Sequence, residues 1–97
     1  MNAPAKPNKV DLLRVRDGHR CWLCHEPIQF DATPNSAKAP SVEHLIPQSR
    51  DGPEILENLV LCHPGCNRIL RDRPLQDKIK LRERRRRKTW IASLRSR

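Results

Sequence analysis

Two short cysteine and histidine motifs, far apart in the sequence, constrain this chain more than any other feature. Cys21 and Cys24 form the first metal motif, and residues 62–66, which read CHPGC, form the second. Two close ligand pairs separated by a long insert are typical of a tetrahedral structural zinc site. A two-residue gap lets both side chains of a pair reach one ion, which favours His63 with Cys66. We therefore predict a structural zinc held by Cys21, Cys24, His63 and Cys66.

Two alternatives to this ligand set stay open. Cys62 could be the fourth ligand, with His63 at the surface, or the cysteines could be unligated thiols buried in a core. His19 and His25 flank the first metal motif without the spacing of a ligand pair. We expect both of these histidines at the surface.

A metal site matters because the rest of the chain offers little material for a core. The 97 residues are 36% apolar and 3% aromatic, which allows one domain at most. Domains this small usually need disulfides or a structural metal as well. The N-terminus lacks the apolar stretch of a signal peptide, which predicts a cytoplasmic location. In that reducing compartment spaced cysteines are metal ligands rather than disulfides.

The charge of the chain indicates its kind of partner. The formal net charge is +9, which favours an anionic partner, most often nucleic acid. An anionic membrane is the rival partner, but the sequence has no lipidation motif and no apolar run of spanning length. We therefore expect a nucleic-acid partner and no membrane.

Local patterns divide the chain into a disordered lead-in, a folded domain and a basic helical tail, over residues 1–8, 9–74 and 75–97. Inside the domain the patterns predict a helix, a strand, a helical turn, a second strand and a second helix, over residues 9–19, 41–47, 54–58, 59–61 and from 66 onward. Gly18 is expected to end the first helix, whose buried side would hold Val10, Leu13 and Leu12.

The segment between the metal motifs, residues 41–61, carries a third pattern. It reads SVEHLIPQSRDGPEILENLVL, and an asparagine, Asn67, follows Cys66. The adjacent Glu43 and His44, the spaced proline, serine and glycine after them, the ENLVL segment and the final Cys-Asn together resemble the HNH endonuclease family. The resemblance is to its HNN variety and to the zinc-stapled branch of phage and bacterial type, and it covers roughly residues 14–74.

The resemblance implies an α+β fold: a small ββα-metal (His-Me finger) unit stapled by a structural zinc, with flanking helices and a basic C-terminal helix. It also implies roles for four residues. Glu43 and Asn67 would bind a catalytic divalent cation, His44 would be the general base, and Asn58 would hold the loop that aims His44. The zinc would clamp the unit without taking part in the chemistry, and His63 would occupy the ligand position of the second metal motif.

The chemistry of these residue types agrees with that implied activity. Hydrolysis of a phosphodiester bond needs a base that works near neutral pH, and histidine supplies one. It also needs positive charge beside the scissile phosphate, which a hard cation held by oxygen ligands supplies. Two protein oxygens leave the rest of the shell to water and phosphate, which suits magnesium or manganese. We therefore expect an enzyme, a metal-dependent endonuclease acting on DNA.

Two positions depart from the family pattern, and one has a second interpretation. Glu43 stands where aspartate is commoner, and its longer side chain changes the reach of a metal ligand. Leu70 stands where lysine is common, so a phosphate contact would have to come from neighbouring arginines: Arg68, Arg71 and Arg73. Asn67 could also cap the helix that follows the second metal motif.

The basic tail contains the run RERRRRK at residues 82–88. We expect five of its side chains to contact DNA phosphates: Arg84, Arg85, Arg86, Arg87 and Lys88. Leu75 and Ile79 would anchor the start of the helix, and Trp90 would pack on the domain or on its helix neighbours rather than stack on a base. A solvated tail without DNA contact is the alternative.

Two other functions compete with the nuclease. One is a zinc-stapled nucleic-acid-binding module without catalysis, and the other is a phage accessory factor that acts with a larger DNA-processing partner. His44 beside Glu43 favours the nuclease, because a binding module has no need for such a pair. Nothing in the sequence indicates how bases would be read, since basic residues give affinity without a sequence code.

Overall fold

The computed structural model describes residues 6–95. The elements follow in the order α1 (Lys9–Asp17), β1 (Ser41–His44), β2 (Leu59–Cys62), α2 (Pro64–Leu70) and α3 (Leu75–Arg95). Two single-turn 3-10 helices, Gln48–Arg50 and Leu56–Asn58, lie in the loop between the strands. This arrangement confirms the predicted α+β class with a ββα unit, flanking helices and a basic C-terminal helix. The expected lead-in falls mostly on residues 1–5, which lie outside the described residues, as do residues 96–97.

Helix α1 begins and ends through capping contacts that its sequence supplies. The Asn8 side chain accepts a hydrogen bond from the Asp11 backbone N–H at 2.9 Å, and Asp11 accepts one in return from the Asn8 N–H at 3.3 Å. Gly18 ends the helix with φ of 86°, a backbone conformation that favours glycine. Leu13 is fully buried, whereas Leu12 is 40% exposed. The expectation that Leu12 lies on the buried side is therefore wrong.

Strands β1 and β2 form an antiparallel hairpin. Ser41 lies opposite Cys62 and His44 lies opposite Leu59. Because side chains alternate along a strand, one face of the hairpin carries four residues: Ser41, Glu43, Val60 and Cys62. The other face carries Val42, His44, Leu59 and Leu61. Adjacent in sequence, Glu43 and His44 therefore point to opposite faces. Strand β1 ends at His44, earlier than predicted, although Leu45 still donates to the Asn58 carbonyl at 2.8 Å.

Asn58 closes the loop that joins the two strands. Its side-chain oxygen accepts from the Ile46 N–H at 2.9 Å, and its amide nitrogen donates to the carbonyls of Ile46 and Pro53 at 2.9 and 3.0 Å. Gly52 packs against the same place, since a Cβ on it would lie 1.7 Å from the Ile46 carbonyl oxygen. The loop after His44 is therefore tight, and Asn58 and Gly52 hold its shape through these contacts.

The core is built from α1, the first metal motif, β2 and α2. Its fully buried apolar side chains are Leu13, Leu23, Leu59, Leu61 and Leu70. Helix α3 joins this core through Leu81, which packs against it, and through Lys78, which is 0% exposed. Ile79 is 41% exposed, so the expected anchor of α3 through Ile79 is wrong. Lys78 and Leu81 are three residues apart and therefore share one helix face. This is the face that α3 turns inward.

Two further expectations about helices are corrected. Helix α2 begins at Pro64 with His63 as its N-cap residue, so Asn67 lies in the fourth position and does not cap the helix. Trp90 is 63% exposed, so the expectation that it packs on the domain is wrong, whereas packing on its helix neighbours stays a prediction. Among residues 6–95, no helix combines the length and the apolar character needed to cross a membrane.

The packing at Gly52 yields a stability prediction. We expect Gly52→Ala to lower the free energy of unfolding by about 1–3 kcal/mol, because the new methyl group overlaps a backbone carbonyl and the loop must shift. Gly65→Ala is the matched control: the nearest atom to its Cβ is 3.7 Å away at the end of the Arg68 side chain. This change removes a helix glycine and should stabilise by about 0.5–1 kcal/mol. Equal urea midpoints for both variants would contradict the packing.

Candidate functional site

The structure brings the two metal motifs into one cluster. Cys21, Cys24, His63 and Cys66 each offer one ligand atom, and these atoms all lie within 4.8 Å of one another. One ligand pair that joins the two motifs is Cys24 Sγ and His63 Nδ1, which lie 3.4 Å apart. Zinc–sulfur bonds of about 2.3 Å require ligand atoms spaced in this range. The cluster can therefore hold a structural zinc ion.

The orientation of His63 suits a metal ligand. Its Nε2 lies 2.9 Å from the carbonyl oxygen of Pro27, which can only accept a hydrogen bond. Nε2 must therefore carry the ring proton, and the lone pair of Nδ1 faces the thiols. A backbone carbonyl that fixes the tautomer of a ligating histidine is a common second contact at zinc sites.

Cys62 lies outside the cluster, fully buried in β2. A hydrogen bond with Cys21, together with burial, raises the pKa of the Cys62 thiol, whereas hydrogen bonds from Cys62 and Cys66 lower the pKa of Cys21. A hydrogen bond between Cys66 and Cys21, together with burial, likewise raises the pKa of Cys66. The neighbouring thiols thus favour one thiolate and oppose the ionisation of a second thiol. A divalent cation removes that conflict, because it binds thiolates.

Glu43 is the buried carboxylate of the hairpin, 4% exposed. Its Oε1 lies 3.6 Å from the Lys78 ammonium, and its Oε2 is buried without a hydrogen-bond partner in the part of the chain that the structure describes. Burial raises the pKa of Glu43, and the charge of Lys78 opposes that rise. Buried polar atoms nearly always have a partner. The orphaned oxygen is therefore a fitting acceptor for a cation.

Lys78 is a site residue that the sequence analysis missed. It comes from α3, is fully buried, and donates to the His44 carbonyl at 2.6 Å besides pairing with Glu43. In the sequence it is one lysine among many in a segment expected to be a tail. The available signal was its position three residues before Leu81, on one helix face. A charge buried this deeply persists only when it is paired.

Asn67 lies on the same side of the hairpin as Glu43. Its amide nitrogen donates to Ser41 Oγ at 2.8 Å and to the Val42 carbonyl at 3.0 Å, which ties α2 to β1. Both bonds use the nitrogen, so the side-chain oxygen, the atom that a metal would take, is in neither. Glu43 and Asn67 therefore each keep one side-chain oxygen out of the hydrogen bonds that the structure describes.

His44 has different neighbours on the opposite face. Its Nε2 lies 2.5 Å from the Glu54 carboxylate, which also accepts from Gln48 at 3.2 Å and pairs with Lys9. Contacts with Lys9 and then His44 lower the pKa of Glu54 to about 2. Glu54 is the second site residue missed from sequence. It lies in an aperiodic loop, and its partner Lys9 is 45 residues away.

The expected phosphate-binding residues lie at the surface. Arg68, Arg71 and Arg73 are exposed on α2 and the turn after it, and the run from Arg84 to Lys88 is exposed on α3. Leu70 is fully buried in the core, so its position has an apolar role. The cation buried near the candidate site is Lys78, which α3 supplies.

The metal cluster yields a prediction for the purified protein. We expect about one tightly bound zinc per chain and loss of the fold on chelation, because a structural zinc supplies folding energy. His63→Ala should lose zinc, whereas Cys62→Ala should keep it and lose only packing. The measurements are elemental analysis and far-ultraviolet circular dichroism. A fold that survives a strong chelator, or zinc lost from Cys62→Ala but kept in His63→Ala, would contradict this ligand set.

Comparison with known proteins agrees with this geometry. The family model for HNH endonuclease matches residues 21–73, more than half of the chain. The match runs from the first metal motif through the hairpin and α2. Searches of curated proteins and of solved structures found no match. The ββα unit, the metal cluster and the family match lead to one conclusion: this chain belongs to the HNH endonuclease family.

Proposed function

We propose that the protein is a metal-dependent endonuclease that hydrolyses phosphodiester bonds in DNA, with His44 as the base that activates water. The observation that carries this proposal is the 2.5 Å contact between His44 Nε2 and the Glu54 carboxylate. The residue before His44 is Glu43, a buried carboxylate with an unpartnered oxygen. Family membership supplies the reaction class. A histidine held by a carboxylate supplies a group able to perform it.

The contact with Glu54 assigns different tasks to the two ring nitrogens of His44. The pKa of Glu54 is lowered to about 2, so this side chain is a carboxylate at neutral pH and can only accept. Nε2 therefore carries a proton, and Nδ1 keeps the lone pair that takes a proton from water. Glu54 acts as a positioning residue, in the way that a carboxylate orients histidine in other hydrolases.

Glu43 and Asn67 are the residues that would hold a catalytic magnesium or manganese ion. The fit rests on the buried, unpartnered Oε2 of Glu43 and on the side-chain oxygen of Asn67, which its two hydrogen bonds leave unused. A bound cation supplies positive charge at the scissile phosphate and at the leaving oxygen. Lys78 keeps Oε1 of Glu43 in place and offsets part of its charge.

Three groups support these residues without touching the reaction. Asn58 holds the loop after His44 through hydrogen bonds to Ile46 and Pro53. The zinc cluster holds the ends of the hairpin unit together, and its thiols suit a reducing cytoplasm. The exposed arginines of α2 and α3 would bind DNA phosphates, with no preference for sequence. A larger DNA-processing partner would have to supply that preference.

One observation favours a second candidate, a zinc-stapled module that binds nucleic acid without cleaving it. Lys78 already pairs with Glu43 deep in the protein. In this alternative the ammonium of Lys78 takes the place of the catalytic cation, and His44 has no catalytic role. The unpartnered Oε2 of Glu43 argues for the nuclease, because a purely structural pair would leave no buried acceptor unused.

The role of His44 can be tested with plasmid DNA. We expect His44→Ala to slow cleavage about 10²–10⁴-fold, because the base acts in the transition state. Zinc content and DNA affinity should be unchanged. His19→Ala is the matched control, since His19 is exposed and outside the site. Glu43→Gln and Asn67→Ala should raise the magnesium or manganese concentration needed for half-maximal rate. Cleavage by His44→Ala at the parent rate would favour the binding module.

The role of Glu54 has a readout that does not need catalysis. In the zinc-loaded protein, the Nε2 proton of His44 should be visible by NMR and protected from exchange. Glu54→Ala should lose that signal and lower kcat roughly 10–100-fold with little change in KM, since it removes only an orienting contact. Glu57→Ala, a nearby exposed glutamate, is the control. A protected Nε2 proton that persists in Glu54→Ala would contradict the assignment.

A further inference from the structure

A concavity separate from the candidate catalytic site lies between the first metal motif and α3. Its volume is about 380 Å³, and its lining does not include His44, Glu43, Asn58 or Asn67. We call it the arginine cleft and define it by five of its lining residues: Arg20, Trp22, His25, Arg82 and Arg86. It is therefore a separate feature from the candidate catalytic site.

Two of the cations of the cleft, Arg82 and Arg86, come from the face of α3 that is turned toward the domain. Lys78, Arg82 and Arg86 are four residues apart and share one side of the helix. Lys78 is fully buried, Arg82 is partly buried beside Trp22, and Arg86 is exposed at the rim. A helix face that packs on a domain is usually apolar. A cationic face in this position calls for a functional explanation.

Two of the arginines are held in place. Arg82 donates through Nε to the Trp22 carbonyl at 2.9 Å, and its guanidinium lies 4.8 Å from the centre of the Trp22 ring. Arg20 donates to the His25 carbonyl at 3.1 Å. These contacts order the side chains in advance, so a ligand would meet groups already in position, at little further entropic cost.

The charges of the cleft are not balanced by acids. Within residues 6–95, no carboxylate lies within 4 Å of Arg20, Arg82 or Arg86. The lining also contains one arginine already paired with Asp17 and a single further acid, Glu57. Four guanidiniums and two carboxylates give the lining a formal charge of +2. Burial, and after it the charge of Arg86, lower the pKa of Arg82, whereas the charge of Asp17 opposes that shift.

We propose that the arginine cleft binds a backbone phosphate of the nucleic acid, outside the position of cleavage. Guanidiniums match phosphate through paired hydrogen bonds and keep their charge at any physiological pH. The cleft is large enough for one phosphate with its sugar. Leu45, the residue after His44, belongs to its lining, so the cleft borders the chain segment that carries His44. This inference rests on the proposed action on DNA and adds a site to it.

Charge reversal at two positions of one helix tests the cleft. Arg86→Glu and Arg84→Glu change the net charge equally, and both residues are exposed on α3. They lie two residues apart, about 200° around the helix, and Arg84 is outside the cleft lining. We expect Arg86→Glu to weaken binding of random-sequence duplex DNA about tenfold more than Arg84→Glu. It should also reduce the slope of log Kd against log salt by about one unit more.

Inorganic phosphate separates a nucleic-acid site from a site for small anions. In the zinc-loaded protein, phosphate should shift the NMR signals of the Trp22 indole N–H and the Arg82 Nε–H saturably, with the Trp90 indole as internal control. Arg20→Ala should abolish these shifts. Equal effects of Arg84→Glu and Arg86→Glu on DNA would overturn the proposal even if phosphate binds, and so would the absence of phosphate shifts. Neither experiment measures cleavage, so failure of His44 as the base would be seen separately.

Discussion

The contact between Cys24 and His63 joins parts of the chain that are 39 residues apart, and the rest of the domain is arranged around that junction. The hairpin and its loop lie between the two metal motifs, and α2 begins directly after His63, its N-cap residue. In a chain with few large apolar side chains, closing this segment by a metal limits the unfolded ensemble and supplies free energy that the core does not.

The second constraint is electrostatic and comes from outside the family match. Lys78 lies beyond residue 73, yet its ammonium is buried against Glu43 and the His44 carbonyl. Removing one partner of such a pair commonly costs about 3–5 kcal/mol, because it leaves a buried charge uncompensated. The first part of α3 is therefore integral to the domain. The basic helix is held to the hairpin at the site where chemistry is proposed.

The same helix face links the proposed site to the arginine cleft. One turn beyond Lys78, Arg82 rests on Trp22 beside the first metal motif, and Arg86 follows at the rim. The ordered cations thus run from the buried carboxylate to the surface along a single direction. On the other face of the hairpin, His44 faces an acid held by α1 and by its own loop.

The sequence by itself determined the features that depend on local spacing. Gly18 indicated the end of α1, short apolar segments indicated the two strands, and paired ligands separated by two residues indicated the metal cluster with His63 in it. The order of Glu43, His44, Asn58 and Asn67 pointed to the HNH endonuclease family, which the match to residues 21–73 confirmed. Each of these patterns consists of short local motifs in a fixed order along the chain, and so it can be recognised without knowing how the chain folds back.

Tertiary structure alone decided which distant side chains meet. Lys9 with Glu54, Lys78 with Glu43, and Arg82 with Trp22 are separated by 45, 35 and 60 residues, and no periodicity connects them. From the sequence, Ile79 was expected to face inward and Trp90 to pack on the domain or on its helix neighbours, because apolar side chains usually form the core. The structure buries Lys78 instead, since the helix face directed at the hairpin meets a carboxylate and a carbonyl there. An ammonium satisfies those two acceptors and an isoleucine cannot.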